Sequence, residues 1–436
     1  MKREFSSGSG RFKVSSEDFF LDDIAEADEV DIETCSSRPR PFWLSGNMIP
    51  IADRISFVGC SIPPSNEDDS LVFVDMENFL VYYPFAYDFG PVNLGSIHHF
   101  VVHLNTVLER HPDQWIVLRC APDMQVVTNA VMMIGAYLIV EGISEPDNVF
   151  SEELNEETRN LLPYHDATYL PTSFTISVED VWAGLAKAMK QGWFSVGGSE
   201  HEGFDCEEYD HYDDPCNGDL HRIIPDKLIA FKGPVDHMHN RDWFDENYVR
   251  MFHPRFFVDV FKEMDVKCVI RLNGPKYDKE TFEENGIKVV DIFLEDNAVP
   301  STHILHRFLQ AVELADGLVA VHCDNGLGRT GTMIAAYLIA FRGFTAREAI
   351  GWMRLARPGS VIGVQQEFLV EREFALQRAG FVMKSRSSKF ILDAGLDGDL
   401  KVLSSVHPLS SLDHEPEGTG NERKIPGISE VNQPPS

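Results

Sequence analysis

Apolar residues along this chain are grouped in two ways. Short runs such as WIVL (115–118), LVAV (318–321) and VIRL (269–272), the last broken only by Arg271, have the composition of strands buried on both faces. Longer stretches with helical spacing lie between them, and the alternation predicts βα units and an α/β fold. The second half is the clearer. Residues 266–272 and 287–294 predict strands, Ser301 can cap a helix running to about residue 314, and 317–322 predict a third strand. Residues 330–341 predict an apolar helix stopped by Gly343. Thr345 and Glu348 make a capping box for the next helix, which ends at Arg357-Pro358-Gly359. A last helix runs from near Gln365 to Gly380.

The first half repeats the second in faded form. WIVLRC (115–120) then MMIGAYLIV (132–140) parallels LVAVHC (318–323) then TMIAAYLIA (332–340), with the helices 200 residues apart. Between strand and helix the copies part. Asn129 falls where the later copy has Arg329, and Val126 stands six residues after Cys120. The first half therefore reads as a silent copy of the same fold.

Composition narrows the setting. The formal net charge of −31 over 436 residues excludes a nucleic-acid or anionic-membrane surface and suits a locally basic partner. Seven Cys without a CxxC read as reduced thiols of an intracellular protein, in nucleus or cytoplasm. MKREFSSGSG lacks the apolar core of a signal peptide, and the longest apolar runs fall short of the ~20 residues of a membrane helix. Nine acids and no Lys or Arg lie within 17–33, around Phe19, Phe20 and Leu21. The end is rich in Ser, Pro and Gly, after a small basic cluster at 384–389. The expected organisation is a disordered tail (1–47), a silent domain (48–197), an acidic linker (198–222), a catalytic domain (223–384) and a second disordered tail (385–436).

Chemistry concentrates in VHCDNGLGRTG (321–331). Strand turns into helix here, so the backbone N–H groups of Asp324, Asn325, Gly326, Leu327, Gly328 and Arg329 can face inward and cradle an anion. Arg329 can clamp two phosphate oxygens. The same positive field should lower the Cys323 pKa and make it a nucleophile toward phosphorus. Thr330 can donate to the sulfur as it leaves, and His322 orders the loop backbone. The leaving oxygen needs a proton, for which Asp296 in DIFLEDNAVP (291–300) is the candidate, with Asp291 and Glu295 as competitors. No cofactor is implied. No metal site is expected either: His98, His99 and His103 read as an exposed helix face.

With these motifs in place, the sequence resembles the mitotic-exit dual-specificity phosphatases of the cell-division-cycle-fourteen type. The likeness spans nearly all of 50–380. It includes YDFGPVNL (87–94), PYHDATY (163–169), FDCEEYDHYDDPCNGDL (204–220), IIPDKLIAFKGP (223–234) and RPGSVIGVQQEFL (357–369). The resemblance implies two tandem cysteine-phosphatase-like domains, each a mostly parallel sheet flanked by helices, with only the second active. It implies phosphoprotein substrates carrying phosphoserine before proline, with Lys or Arg downstream. Asp210, Asp213 and Asp219 match the acidic groove that reads those bases, in a stretch with eight acids and no Lys or Arg over 202–219. Gln365 and Gln366 match amides near substrate and attacking water. Centrosome, spindle and cilium base remain open as locations. Two departures stand out: the family's Lys-Ala after the nucleophile is Asp324-Asn325, and its Gly after the acid is Asn297. A carboxylate beside the thiolate opposes its ionisation and repels a dianion unless it points away. Competing readings are a phosphoinositide phosphatase, disfavoured by Asp324 and the net charge, and a non-catalytic phosphoprotein-binding module, disfavoured by the intact Cys, Arg and Asp.

Overall fold

The computed structural model describes residues 42–60, 69–197, 204–236, 241–247 and 249–394. The acidic run at 17–33, residues 198–203 of the expected linker and the stretch 395–436 lie outside the described residues. The described chain begins with β1 (Ile49–Ala52), β2 (Ile55–Gly59), β3 (Leu71–Asp75), α1 (Leu94–Arg110), β4 (Trp115–Cys120), α2 (Met124–Val140), α3 (Glu152–Thr158) and α4 (Val178–Lys190). It continues through α5 (Cys206–Asp213), β5 (Leu220–Ile224), β6 (Leu228–Phe231), β7 (Trp243–Glu246), β8 (Val249–Phe252), α6 (Pro254–Glu263), β9 (Val266–Arg271) and α7 (Glu280–Glu283). It closes with β10 (Lys288–Asp291), α8 (Thr302–Leu314), β11 (Leu318–His322), α9 (Gly328–Phe341), α10 (Ala346–Ala356) and α11 (Val364–Ala394).

Two sheets organise the chain. The first has the order β1-β2-β4-β3, with β4 parallel to both neighbours and β1 antiparallel at the edge. The second has the order β10-β9-β11-β6-β5, parallel except for β5. β7 and β8 form a separate antiparallel pair. This is the expected α/β class, with two tandem units of mostly parallel sheet flanked by helices. In each unit an inner strand, β4 or β11, feeds a helix, α2 or α9, that is buried along nearly its whole length. Their sequences lack polar alternation because both sheet faces are covered.

The units share one core. α4 and α10 meet almost backbone to backbone: a Cβ on Gly184 would lie 2.5 Å from the Glu348 carbonyl oxygen, and one on Gly351 2.7 Å from that of Asp180. Lys187 pairs with Glu348 and Arg347 with Asp180 across the same crossing. The apolar cluster runs unbroken from Trp43 to Leu376.

Several boundaries differ from the sequence reading. Phe42–Leu44 form a 3-10 turn whose Trp43 is buried, so folded structure begins before residue 48. The described part of the acidic linker, 204–222, is folded: Asp205 caps α5 by accepting from the Glu208 amide, and β5 begins at Leu220. β10 ends at Asp291, although Leu294 N–H still donates to Leu272 O. The last helix does not stop at Gly380 but runs to Ala394. Gly380 serves close packing instead, since a Cβ there would sit 1.8 Å from the Ala340 carbonyl oxygen in α9.

Candidate active site

Cys323 follows the last residue of β11, and α9 starts at Gly328. Five successive carbonyls of the intervening loop are held from outside. That of Cys323 faces His322 Nδ1 at 2.9 Å, and that of Asp324 accepts from Gly233 N–H at 2.8 Å. Those of Asn325 and Gly326 accept from the Arg357 guanidinium, both at 2.8 Å, and that of Leu327 accepts from the Gly331 amide. Outward carbonyls in trans peptides turn the N–H groups of the loop inward, the geometry of an anion cradle. Gly326 has φ +68°, and a Cβ on it would lie 2.2 Å from the Phe231 carbonyl oxygen, so both conformation and space demand glycine.

His322 is fully buried between two partners. Its Nε2 meets the Tyr277 hydroxyl at 2.9 Å while Nδ1 faces the Cys323 carbonyl. Burial pushes its pKa down to about 4, so it stays neutral near pH 7. Among the described residues Thr330 Oγ1 is buried without a hydrogen-bond partner. An orphan hydroxyl at the start of the helix that follows the loop is a donor held in reserve.

Arg329 is buried and points back across the loop. Nη1 donates to Leu294 O at 3.1 Å. Nη2 meets Asp324 Oδ2 at 2.6 Å and Asp296 Oδ1 at 3.1 Å. Asp296, the candidate acid, is therefore beside the arginine with its side chain 72% exposed. Asp291 is instead engaged by Arg271, at 2.6 and 3.2 Å. Asn297 has φ +55°, which explains why a glycine suits this position and why Asn substitutes for it.

Asp324 Oδ1 faces Lys276 Nζ at 2.5 Å and Asn273 Nδ2 at 2.8 Å, while its Oδ2 stays on Arg329 at the edge of the cradle. Partial burial opposes its ionisation, but hydrogen bonds from Lys276, Asn273 and Arg329 outweigh it and hold the carboxyl at about 2.

The remaining sequence candidates divide. Gln365 Nε2 donates to Ala298 O at 3.1 Å on the acid loop; its Oε1 is buried without a partner near Gly328. Gln366 is fully buried, with Oε1 accepting from Arg354 and Nε2 donating to Gly363 O, so its amide is committed to structure. The three groove acids do not form a free acidic row. Asp210 pairs with His99 at 2.7 Å, Asp213 with His221 at 2.8 Å and with Asn93, and Asp219 with Arg357 at 2.7 Å.

Arg357 was read from sequence only as a helix end. It is 1% exposed and links Asp219 to the outer side of the loop. The first half also contributes. Buried Asp166 accepts from Gly363 N–H, and the Phe85 ring lies 2.8 Å from a Cβ built on Gly359. The exposed rings of Tyr87 and Tyr169 stand 5.4 Å apart nearby in sequence to these contacts.

At the matching place in the first half there is no five-residue loop. α2 starts at Met124, and the Asp123 carboxylate accepts from the Gln125 and Val126 amides. The helix N-terminus is thus occupied by the protein's own anion. Burial, with Glu77 nearby, pushes the Cys120 thiol up to about 12. Asn129 is locked between Phe89 O and the Tyr164 hydroxyl.

Comparison with known proteins finds a family profile for each half. The profile of "Dual specificity protein phosphatase, N-terminal half" matches residues 49–188, and that of "Dual specificity phosphatase, catalytic domain" matches 254–371. Dual specificity protein phosphatase CDC14AB of Danio rerio is 33% identical over 86% of this chain and 61% of its own length. Dual specificity protein phosphatase CDC14C of Homo sapiens is 34% identical over 78% of this chain and 73% of its own. The chain thus spans about three fifths of the length of the zebrafish relative. Among solved structures, Tk-PTP in its active form is 23% identical over 37% of this chain and 97% of its own, with a TM-score of 0.30.

Proposed function

This chain belongs to the CDC14-type dual-specificity phosphatases, and from that premise we propose that it hydrolyses phosphoserine and phosphothreonine in proteins through a cysteinyl-phosphate intermediate, with phosphotyrosine accepted in vitro. The observation that carries the reading is the Arg329–Asp296 contact at the loop that begins with Cys323 and whose carbonyls are held by groups around it. In the first step the Cys323 thiolate attacks phosphorus, the P–O bond breaks, and Asp296 gives its proton to the leaving oxygen. The loop amides and Arg329 hold the equatorial oxygens. In the second step Asp296 takes a proton from water as water attacks phosphorus, and the thiolate leaves with a hydrogen bond from Thr330. Gln365 stands beside both the loop and the acid segment, where it can orient that water.

The first half is a silent scaffold in this reading. Asp123 fills the anion position, Cys120 is held as a thiol, and Asn129 replaces the arginine. Its service is to the substrate. The exposed rings of Tyr87 and Tyr169 suit a proline after the phosphoserine. A preference for downstream Lys or Arg rests on the acidic stretch at 202–219, in which Asp210 has a 46% exposed side chain. Asp324 weighs against polyanionic lipid headgroups, because it adds negative charge at the loop.

The test is phosphate release from phosphoserine-Pro-x-Lys peptides, from versions lacking the Lys or the Pro, and from a soluble phosphoinositide. Release from the first set alone, abolished in Cys323→Ser, is expected. Binding without turnover would replace the enzyme reading with a binding module. A basic-residue preference that survives Asp210→Lys would remove Asp210 from the substrate surface.

A further inference from the structure

α1 and α5 cross tightly at Gly95, where a Cβ would lie 2.5 Å from Asp210 Oδ1 and 3.2 Å from the Tyr209 ring. Beside that crossing three side chains with metal-binding atoms converge, His98 and His99 from α1 and Cys206 from α5, with Asp210 of α5 against two of them. His99 Nε2 is 2.7 Å from Asp210 Oδ2 and 3.7 Å from Cys206 Sγ. Cys206 Sγ is 3.8 Å from Asp210 Oδ2. The ligand atoms of His98, His99 and Cys206 all lie within 4.8 Å of one another. Among the described residues His98 Nδ1 is buried and has no hydrogen-bond partner, although the neighbouring His99 ring is exposed. A buried ring nitrogen without a partner calls for one. The two histidines alone look like an exposed helix face. Folding brings the thiol onto that face from 107 positions further along the chain.

We propose that His98, His99 and Cys206 form a zinc site that fastens the acidic helix α5 to the first half. The donor set decides the metal. Two imidazoles and one thiolate are borderline-soft ligands that suit zinc, with water as the fourth ligand, and exclude calcium and magnesium. A tetrahedral zinc with bonds of about 2.0–2.3 Å places its ligand atoms roughly 3.3–3.8 Å apart. The His99–Cys206 distance of 3.7 Å already fits. Asp210 holds His99 Nε2 at 2.7 Å in the metal-free chain and turns to solvent when zinc takes that nitrogen. No oxidant or reductant is involved: zinc binds as the dication, and the Cys206 thiol proton passes to solvent. Cys206 is partly buried and His99 exposed, which leaves metal a path from solution.

The full chain is tested in a Cys323→Ser background, which removes the active-site thiol as a competing ligand. Metal-stripped protein is titrated with Co²⁺. One equivalent is expected to give a thiolate-to-cobalt charge-transfer band and the intense visible bands of a four-coordinate site, both erased by one equivalent of Zn²⁺. Zn²⁺ is expected to raise the thermal midpoint. Cys206→Ser should remove the charge-transfer band, and His99→Gln should weaken zinc at least tenfold while leaving the metal-free midpoint unchanged. His99 is exposed, so that variant separates ligation from misfolding. The proposal is overturned by absence of Co²⁺ binding, by a band that persists in Cys206→Ser, or by His99→Gln binding zinc as tightly as its parent.

Discussion

Asp324 brings a carboxylate into an anion-binding loop, and three neighbours keep it ionised with a pKa of about 2. Through its contact with Arg329 Nη2 it competes with an incoming phosphate for the same guanidinium. Asp324→Asn should therefore lower both KM for a phosphopeptide and the inhibition constant of inorganic phosphate. A several-fold fall is the scale of one screened charge contact worth about 1 kcal/mol. Steady-state kinetics with phosphate as inhibitor checks this, and a rise in both constants would contradict it. His322 gives a separate pH signature. Its folded pKa of about 4 lies below the ordinary 6.5, so between those values the unfolded chain binds a proton that the folded chain refuses. Stability should fall as pH drops from 6.5 to 4, by on the order of 3 kcal/mol from this residue. Urea unfolding at both ends of that window, on native protein and His322→Gln, isolates the contribution. Asp324 adds nothing there, because its depressed pKa makes its stabilisation disappear only as pH falls toward about 2. The loop residues were legible in sequence because their spacing is set by local geometry. Arg357 was not, because its partners Asp219, Asn325 and Gly326 are distant along the chain.

At the scale of elements, local chemistry and long-range packing separate cleanly. The Thr345–Glu348 capping box and the Ser301 cap were readable because a cap is satisfied within one turn. The end of α11 was not, because Gly380 looks like a stop and is in fact a contact with α9. That difference has a sign. In an exposed helix Gly→Ala stabilises by about 1 kcal/mol. Here Gly380→Ala should destabilise by about 2 kcal/mol or more, since the new methyl meets carbonyl backbone that cannot step aside. Denaturant unfolding decides between the two. Gly233 poses the same problem at the active site: its Cβ would lie 2.1 Å from the Cys323 carbonyl oxygen. Gly233→Ala should cut kcat by about a hundredfold, the cost of misplacing reacting groups by about 1 Å.

Among the described residues the two halves share one apolar core. The sequence repeat gave two domains in tandem, and the sheets bear that out. It could not show that α4 and α10 interlock through Gly184 and Gly351, because a glycine in a helix carries no mark of what it touches. Gly351→Leu should therefore lower the unfolding midpoint of the whole described unit in a single transition. Two separate transitions by calorimetry would show that the halves fold apart. The acidic segment was read as a linker from its charge, yet Tyr209 is buried in the shared core and its acids have partners on both sides.

The central claim is that one of two related halves does the chemistry, and that Cys323 carries the phosphoryl group. Acid-quenching the enzyme during turnover of a phosphoserine-Pro peptide, then mapping the trapped phosphate by mass spectrometry, tests it most directly. The account predicts a phosphocysteine at Cys323, absent in Cys323→Ser, and none at Cys120. Phosphate on Cys120, or steady turnover in Cys323→Ser, would contradict it.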